Sequence, residues 1–279
     1  MTATSPALRQ PTGALPPLAR VSLRRAGLEL RTFFRRRETV VFTFALPVIL
    51  LLIFGSIFNF DVGDTGVPFR QYFTAGIIAS GIMSATFVNL GIGIALERDD
   101  GTLKRLAGTP MPRAAYFVGK ILSSLVISAL ETAILLAVGA GLYGLNLPGT
   151  PGRWLTFGWV FLLGVACCTL LGIAVSSVPR SSRSAAAVLN LPYLVLQFIS
   201  GVYFPFNQLP HGLQVVASFF PLKWMCQGLR SVFLPDSLVQ LEAGHSWELG
   251  KVALVLTAWL VGSLILCLRT FRWTNEGSR

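Results

Sequence analysis

The chain has 279 residues, of which 53% are hydrophobic and 13% are charged, and its mean hydropathy is +0.66. A soluble domain carries about 25% charged residues, so the composition excludes an ordinary soluble enzyme and indicates an integral membrane protein. The formal net charge of +11 fits either nucleic-acid binding or a membrane protein with basic residues along one membrane face. The distribution of the charges decides between these two classes.

The first 37 residues divide into two parts. Residues 1–17 are rich in Pro, Thr, Ser and Ala, which predicts a disordered tail. Residues 18–37 repeat apolar side chains at helical spacing and place arginines on the other faces. This pattern predicts an amphipathic helix lying in the inner membrane interface. A solvated basic tail is the alternative, and it is disfavoured because Phe33 and Phe34 come directly before a run of three arginines.

Six apolar segments are long enough to cross about 30 Å of hydrocarbon, which takes roughly 20 helical residues. Their predicted bounds are 40–58, 72–96, 116–143, 154–178, 185–204 and 252–268. With the N-terminus inside, 18 of the 23 Lys and Arg residues fall in inner segments and the other 5 in outer segments. This asymmetry predicts that both termini face the cytoplasm, and it explains the net charge through membrane lipids without nucleic acid. We therefore predict an all-α, multi-pass protein of the inner (plasma) membrane.

A charged segment between the second and third predicted spans lies on the predicted cytoplasmic side. Its sequence predicts a short helix over 99–108, with carboxylates at the N-terminal end, where the helix dipole favours them, and prolines after it. A soluble motor protein could push on such a helix, whereas the alternative is a solvated helix that only sets the topology. The candidate residues for this coupling are Glu97, Asp99, Asp100, Gly101, Thr102, Leu103, Lys104, Arg105 and Leu106.

One carboxylate, Glu131, lies well inside the third predicted span. A charge at that depth costs a few kcal/mol and usually faces a bundle interior or a water-filled cavity. Glu131 could therefore contact cargo or control the packing of two subunits. The alternative is a protonated or hydrogen-bonded structural carboxyl group, satisfied by Ser124, Ser128 or Thr132.

The segment 205–224 follows the fifth predicted span and is interrupted by prolines at 205, 210 and 221. Its apolar piece, Leu213–Phe220, is too short to cross a membrane, which predicts two short helices that dip into the outer leaflet and return. The alternatives are a seventh span, which the basic C-terminus disfavours, an ordinary outer loop, or a simple interfacial anchor. The aromatic candidates for an outer gate are Tyr203, Phe204, Phe206, Phe219 and Phe220.

The sequence contains no phosphate-binding loop of the form G-x-x-x-x-G-K-[ST], so it offers no ATPase site of that type. Its two histidines, His211 and His245, lie outside the predicted spans, which excludes a Ser–His pair within the membrane. We expect no catalytic, cofactor or metal site in this chain. A membrane-embedded enzyme or sensor is the alternative from a different class, and the absence of these residue patterns disfavours it.

Three stretches together resemble the permeases of the ABC type-2 exporter family, in particular the daunorubicin-resistance permeases. These stretches are residues 46–55; residues 97–106 with Thr109–Pro110 and Gly119–Lys120; and residues 201–205 with Leu209–Pro210, Pro221–Leu222 and Gly228–Arg230. The resemblance implies one transmembrane domain over 18–279 with six spans, and it assigns the 99–108 helix to coupling.

The resemblance also implies partners for the chain. They are a second permease chain, identical or different, and two copies of a separate ATPase subunit that binds ATP and Mg²⁺. It implies export of an amphipathic drug-like or lipid-like molecule from the cytoplasm or inner leaflet, with a polysaccharide or lipid-linked glycan as the alternative cargo.

Overall fold

A computed structural model describes residues 17–58, 60–179, 181–242 and 244–271. In these ranges the chain forms helices and no strand, apart from one isolated bridge between Asp61 and Pro68, so the predicted all-α class is confirmed. The predicted disordered tail lies outside the described residues except for Pro17. The α-helices in the described ranges are α1 Leu18–Arg35, α2 Arg37–Ile57, α3 Phe69–Met83, α4 Leu90–Asp99, α5 Thr102–Ala107, α6 Arg113–Tyr143, α7 Pro151–Val175, α8 Ser182–Ile199, α9 His211–Phe219, α10 Pro221–Phe233 and α11 Leu249–Thr270.

Five helices in the described ranges are long and apolar enough to cross a membrane. They are α2, α6, α7, α11 and the continuous helix Phe69–Asp99, in which a π-helical turn joins α3 to α4. The predicted fifth span corresponds to α8, which has 18 residues and is not among the five. Arg183, Asn190 and Gln197 lower its mean hydropathy, so a sixth span over α8 stays a prediction.

The helices bring the loops to two opposite ends of the molecule. We call them the α5 end and the α10 end, after the helix that lies at each. At the α5 end, Leu103 of α5 packs into a smaller core with Tyr116, Leu170 and Cys267. The main core extends into the α10 end, and it includes buried side chains from α3, α7 and α10.

The N-terminal helix α1 packs lengthwise on α6. Ser22 and Ala26 are buried in this contact, and Gly119 of α6 allows the close approach, because a Cβ there would lie 2.7 Å from Cγ of Arg25. The exposed surface of α1 carries apolar side chains such as Leu23, together with arginines. The extent predicted for this helix, 18–37, is close to the observed one, while its location in a membrane interface stays a prediction.

Two short helices occupy the region predicted as re-entrant. The helices α9 and α10 follow the proline pattern, but α10 continues to Phe233, past the predicted bound at 224. Every residue of α10 is buried, so this helix belongs to the interior of the chain. The dip of this pair of helices into the outer leaflet stays a prediction.

A buried ion pair ties α10 to the loop that follows it. Arg230 is fully buried, and its Nε and Nη2 atoms donate to the Glu242 carboxylate at 2.5 and 3.0 Å. Its Nη1 atom donates to the carbonyl of Gly201 at 3.1 Å. Gly201 has φ of +78°, a conformation that glycine adopts without strain. The guanidinium group also lies 5.0 Å from the centre of the Tyr72 ring on α3, so Arg230 joins four parts of the chain.

We predict that Glu242→Gln lowers the free energy of unfolding by roughly 3 kcal/mol, because Arg230 then keeps a buried charge without a counter-charge. Thermal unfolding in detergent, followed by intrinsic fluorescence, measures the change. Arg153→Gln serves as the control, since Arg153 and Asp236 form an exposed pair at 3.5 Å and its loss should cost less than about 1 kcal/mol. Equal shifts in the two variants would contradict the prediction.

Candidate functional site

The predicted coupling segment consists of the end of one helix and a second short helix, rather than one helix over 99–108. The helix α4 ends at Asp99, and the chain turns through Asp100 and Gly101 before α5 begins at Thr102. Gly101 has φ of +74°, so its lack of a side chain permits the turn. Asp100 Oδ1 accepts a hydrogen bond from the Thr102 N–H at 2.9 Å, which places a carboxylate at the start of α5 as the sequence predicted.

Three consecutive residues at the end of α4 each bond to a different part of the chain. Glu97 faces α6 and accepts from Lys120 Nζ at 2.6 Å. Arg98 Nη1 donates to the carbonyl of Ser176, directly after α7, at 2.6 Å. Asp99 Oδ2 accepts from the Ser182 N–H, at the first residue of α8, at 2.6 Å. The coupling segment is thereby attached to α6, α7 and α8 at once.

The contact with α6 is part of a charge cluster, which consists of the buried Lys120 and the partly buried Arg25, Glu29 and Glu97. The Lys120 side chain is only 2% exposed, and its Nζ atom lies 2.8 Å from Glu29 Oε2 in addition to its bond with Glu97. Arg25 pairs with Glu29 and lies 3.7 Å from Glu97. Two positive and two negative groups therefore balance, and they hold α1, α4 and α6 together.

The two sides of α5 have different environments. Leu103 is 0% exposed and belongs to the smaller core, while Leu106 is half-buried beside it. Lys104 and Arg105 are exposed. Among the predicted coupling residues, Leu103 therefore anchors the helix to its own chain, and the basic pair forms the surface that another protein can reach.

Glu131 lies inside the chain between α6 and α3. Glu131 is 2% exposed, and neither of its carboxylate oxygens has a hydrogen-bond partner among the described residues. The predicted partners Ser124, Ser128 and Thr132 do not supply one. Gly81 of α3 packs directly against the carboxyl group, since a Cβ there would lie 2.5 Å from Glu131 Oε1. Glu131 thus faces its own chain, away from the surface that a second chain could contact, and contact with cargo stays a prediction.

The structure places two of the five aromatic gate candidates in the interior. Tyr203 stacks on Phe54 and Phe73, and its hydroxyl donates to Gln197 Oε1 at 3.2 Å. Phe206 is 1% exposed and lies under Lys223, whose Nζ atom is 5.1 Å from the ring centre. These two residues therefore act as packing residues of the α10 end in this arrangement.

The other gate candidates lie nearer the surface. Phe219 and Phe220 both contact the ring of Trp259 on α11, and Trp259 Nε1 donates to the Phe219 carbonyl at 2.7 Å. The exposed fractions of Phe204 and Phe219 are 46% and 68%. Of the five candidates, Phe204, Phe219 and the half-buried Phe220 reach the surface, and an outer gate at the aromatic candidates stays a prediction.

Lys223, at the start of α10, is a buried cation near these aromatics. Its ammonium group donates to Gln227 Oε1 and lies 3.6 Å from the centre of the Trp224 ring. Burial lowers the pKa of Lys223 to about 8, because a charged ammonium group loses solvation there. Within the described ranges, no three His, Cys, Asp or Glu residues lie close enough together to hold a metal ion.

Several important residues were not singled out from the sequence. Arg25 and Glu29 are spaced i,i+4 on α1, a spacing that could have indicated an ion pair. The bond between Asp99 and Ser182 spans 83 positions, and no local pattern indicates it. The pairing of Arg230 with Glu242 likewise depends on how the loop after α10 folds back.

The chain is similar to one protein family and to several proteins that are named as permeases. Residues 26–234 match the family described as ABC-2 type transporter. The putative transport permease YvfS of Bacillus subtilis (strain 168) is 24% identical over 193 residues, which cover 69% of this chain and 77% of YvfS. The linearmycin resistance permease protein LnrN of the same strain is 31% identical over 141 residues, or 50% of this chain and 36% of LnrN. The probable multidrug ABC transporter permease YbhR of Escherichia coli (strain K12) is 24% identical over 195 residues, or 70% and 51%.

We predict that Glu131→Leu does not destabilise the chain and raises the free energy of unfolding by about 1 kcal/mol, because it removes a buried polar group that has no hydrogen bond. Thermal unfolding in detergent measures this, and Glu131→Gln is the matched control that keeps a polar group of the same size. A clear loss of stability in Glu131→Leu would show that the carboxyl group has a partner after all.

Proposed function

This chain belongs to the ABC-2 type transporter family and is the permease subunit of such a transporter, and we propose that it exports an amphipathic drug-like or lipid-like molecule from the cytoplasm or inner leaflet. The observation that carries this cargo class is the similarity to a linearmycin resistance permease. A multidrug permease among the relatives supports the same class. Amphipathic molecules also concentrate at the membrane interface, where a membrane permease can bind them.

Permeases of this family act with an ATPase subunit, and the geometry of α5 supports a docking site there. The exposed Lys104 and Arg105 offer positive charge to the partner, while the buried Leu103 holds α5 against the chain. A helix held in this way moves its neighbours when it is displaced, whereas a free loop would only bend. In this proposal two copies of the ATPase subunit bind ATP and Mg²⁺, and this chain binds neither.

The α5 end faces the cytoplasm together with both termini, since the basic residues concentrate at that end. The chain lies in the inner (plasma) membrane with α1 in contact with inner-leaflet lipids, and it pairs with a second permease chain of the same or a different sequence. Phe204, Phe219 and Phe220 remain the candidates for a gate at the α10 end.

We predict that the double variant Lys104→Glu, Arg105→Glu loses the ATPase subunit when the complex is purified through a tag on the permease. Both side chains are exposed, so we expect the thermal stability of the permease to stay within about 0.5 kcal/mol of the parent. Lys251→Glu, at a 66% exposed lysine of the α10 end, is the control for a change of surface charge. Retention of the ATPase subunit by the double variant would place the docking site elsewhere.

We predict that cells expressing the permease with its ATPase subunit accumulate less of a fluorescent amphipathic dye than cells expressing the double variant. Loss of ATP-driven export should raise accumulation of the dye at matched membrane expression of the permease. Equal accumulation across a panel of amphipathic dyes, together with ATPase activity that responds to a lipid-linked glycan, would favour the polymer cargo instead.

A further inference from the structure

The first residue of α8 is capped by the coupling segment. Ser182 begins α8, and the first N–H groups of a helix have no partner inside it. The preceding Ser181 side chain accepts from the Ser184 N–H at 3.3 Å, and Asp99 Oδ2 accepts from the Ser182 N–H at 2.6 Å. A carboxylate at this position is also favoured by the helix dipole. The last residue of α4 therefore completes the N-terminal cap of a helix far along the chain.

Two further contacts keep α8 in place beside α4. The bond from Arg98 to the Ser176 carbonyl, at 2.6 Å, fixes the chain just before the turn that leads into α8. Near the start of α4, Gly91 packs against Leu189 of α8, since a Cβ at Gly91 would lie 2.8 Å from Leu189 Cδ1. Leu189 is 0% exposed. The α4 helix and α8 are thus in contact at the cap and also two turns further along α8.

The opposite face of α8 is exposed in the described part of the chain. This face carries Asn190, Leu191, Leu194, Val195 and Phe198. The helix ends at Ile199, and the carbonyl of the nearby Gly201 accepts from Arg230 of α10. The α8 helix therefore runs from the coupling segment to the α10 end with one face on the chain and one face open.

We propose that Asp99 is a positioning residue that transmits displacement of the coupling segment to α8 through its bond with the Ser182 N–H. When an ATPase subunit moves α5, the end of α4 moves with it, and Asp99 carries α8 along. Asp99 then acts through α8, and other residues of this chain form the surface that contacts the ATPase subunit. The inference rests on the proposed function, since it requires a subunit that acts on α5.

Four variants separate the hydrogen bond from other effects. Asp99→Ala removes the acceptor, while Asp99→Asn keeps a side-chain oxygen that can accept the same bond. Ser182→Pro removes the donor, and the site tolerates proline because it is the first helical position and Ser181 has an extended backbone with φ of −149° and ψ of 163°. Ser182→Ala retains the N–H and is the matched control.

The readout is the movement of the open face of α8. The exposed Asn190→Cys supplies a thiol, and the four native cysteines are buried, so a small membrane-permeant maleimide reports on this position. The rate of labelling is compared with and without ATP and vanadate, in the complex of the permease and its co-expressed ATPase subunit in lipid vesicles. Co-purification of the ATPase subunit and its rate of ATP hydrolysis are measured on the same samples.

With Asp99 and Ser182 intact, we expect ATP to change the labelling rate roughly fivefold. One cap hydrogen bond shifts an equilibrium between two positions of α8 by about that factor. Asp99→Ala and Ser182→Pro should reduce the change to less than about twofold, while Asp99→Asn and Ser182→Ala retain it. All four variants should keep the ATPase subunit and its hydrolysis of ATP.

An unaltered response in Asp99→Ala or Ser182→Pro would overturn the inference, as would its loss in Asp99→Asn. The absence of any ATP-dependent change with both residues intact, in a complex that hydrolyses ATP, would also overturn it. Failure of the ATPase subunit to co-purify with the unaltered permease is a different result, because it would refute the proposed function itself.

Discussion

The arrangement of the α5 end depends on the burial of Lys120. Its ammonium group is almost inaccessible to solvent, and Glu29 and Glu97 flank it at 2.8 and 2.6 Å. A buried charge without such partners costs several kcal/mol, so α1, α4 and α6 must meet at this point in one register. The residues that follow Glu97 then have defined positions, which brings Arg98 to the end of α7 and Asp99 to the start of α8. The position of α5 follows from that register and from Leu103 in the smaller core.

The α10 end is organised by the same constraint. Arg230 is fully buried and remains charged beside Glu242, and its third hydrogen bond reaches the carbonyl of Gly201. Between the two ends the buried side chains are mostly apolar, and Glu131 is buried there with no hydrogen-bond partner among the described residues. Balanced charges at both ends and an apolar middle suit a protein that crosses a membrane, since charges are cheapest near the two polar faces.

Membership of the ABC-2 type transporter family establishes the class of this protein, and the structure indicates how force could pass through it. An ATPase subunit can do mechanical work on a permease only through an element that does not yield. The α5 helix has six residues and would be unstable alone, so its rigidity comes from Leu103 and from the attachments of the end of α4. In the proposed transmission the helix that moves with α4 is α8. It is the predicted span with the weakest membrane signal, and its polar residues set it apart from the five apolar helices.

Local properties of the sequence determined the class of this protein and the places of most helices. Hydropathy predicted the apolar spans, and prolines predicted the two short helices α9 and α10, because both signals depend on neighbouring residues alone. Tertiary structure decided which distant residues of the chain contact one another. It turned Leu103 toward the interior, extended α10 to Phe233 as a buried helix, and joined Asp99 to Ser182 across 83 positions. These outcomes depend on how distant helices pack and on where buried charges find partners, and no single stretch of sequence contains that information.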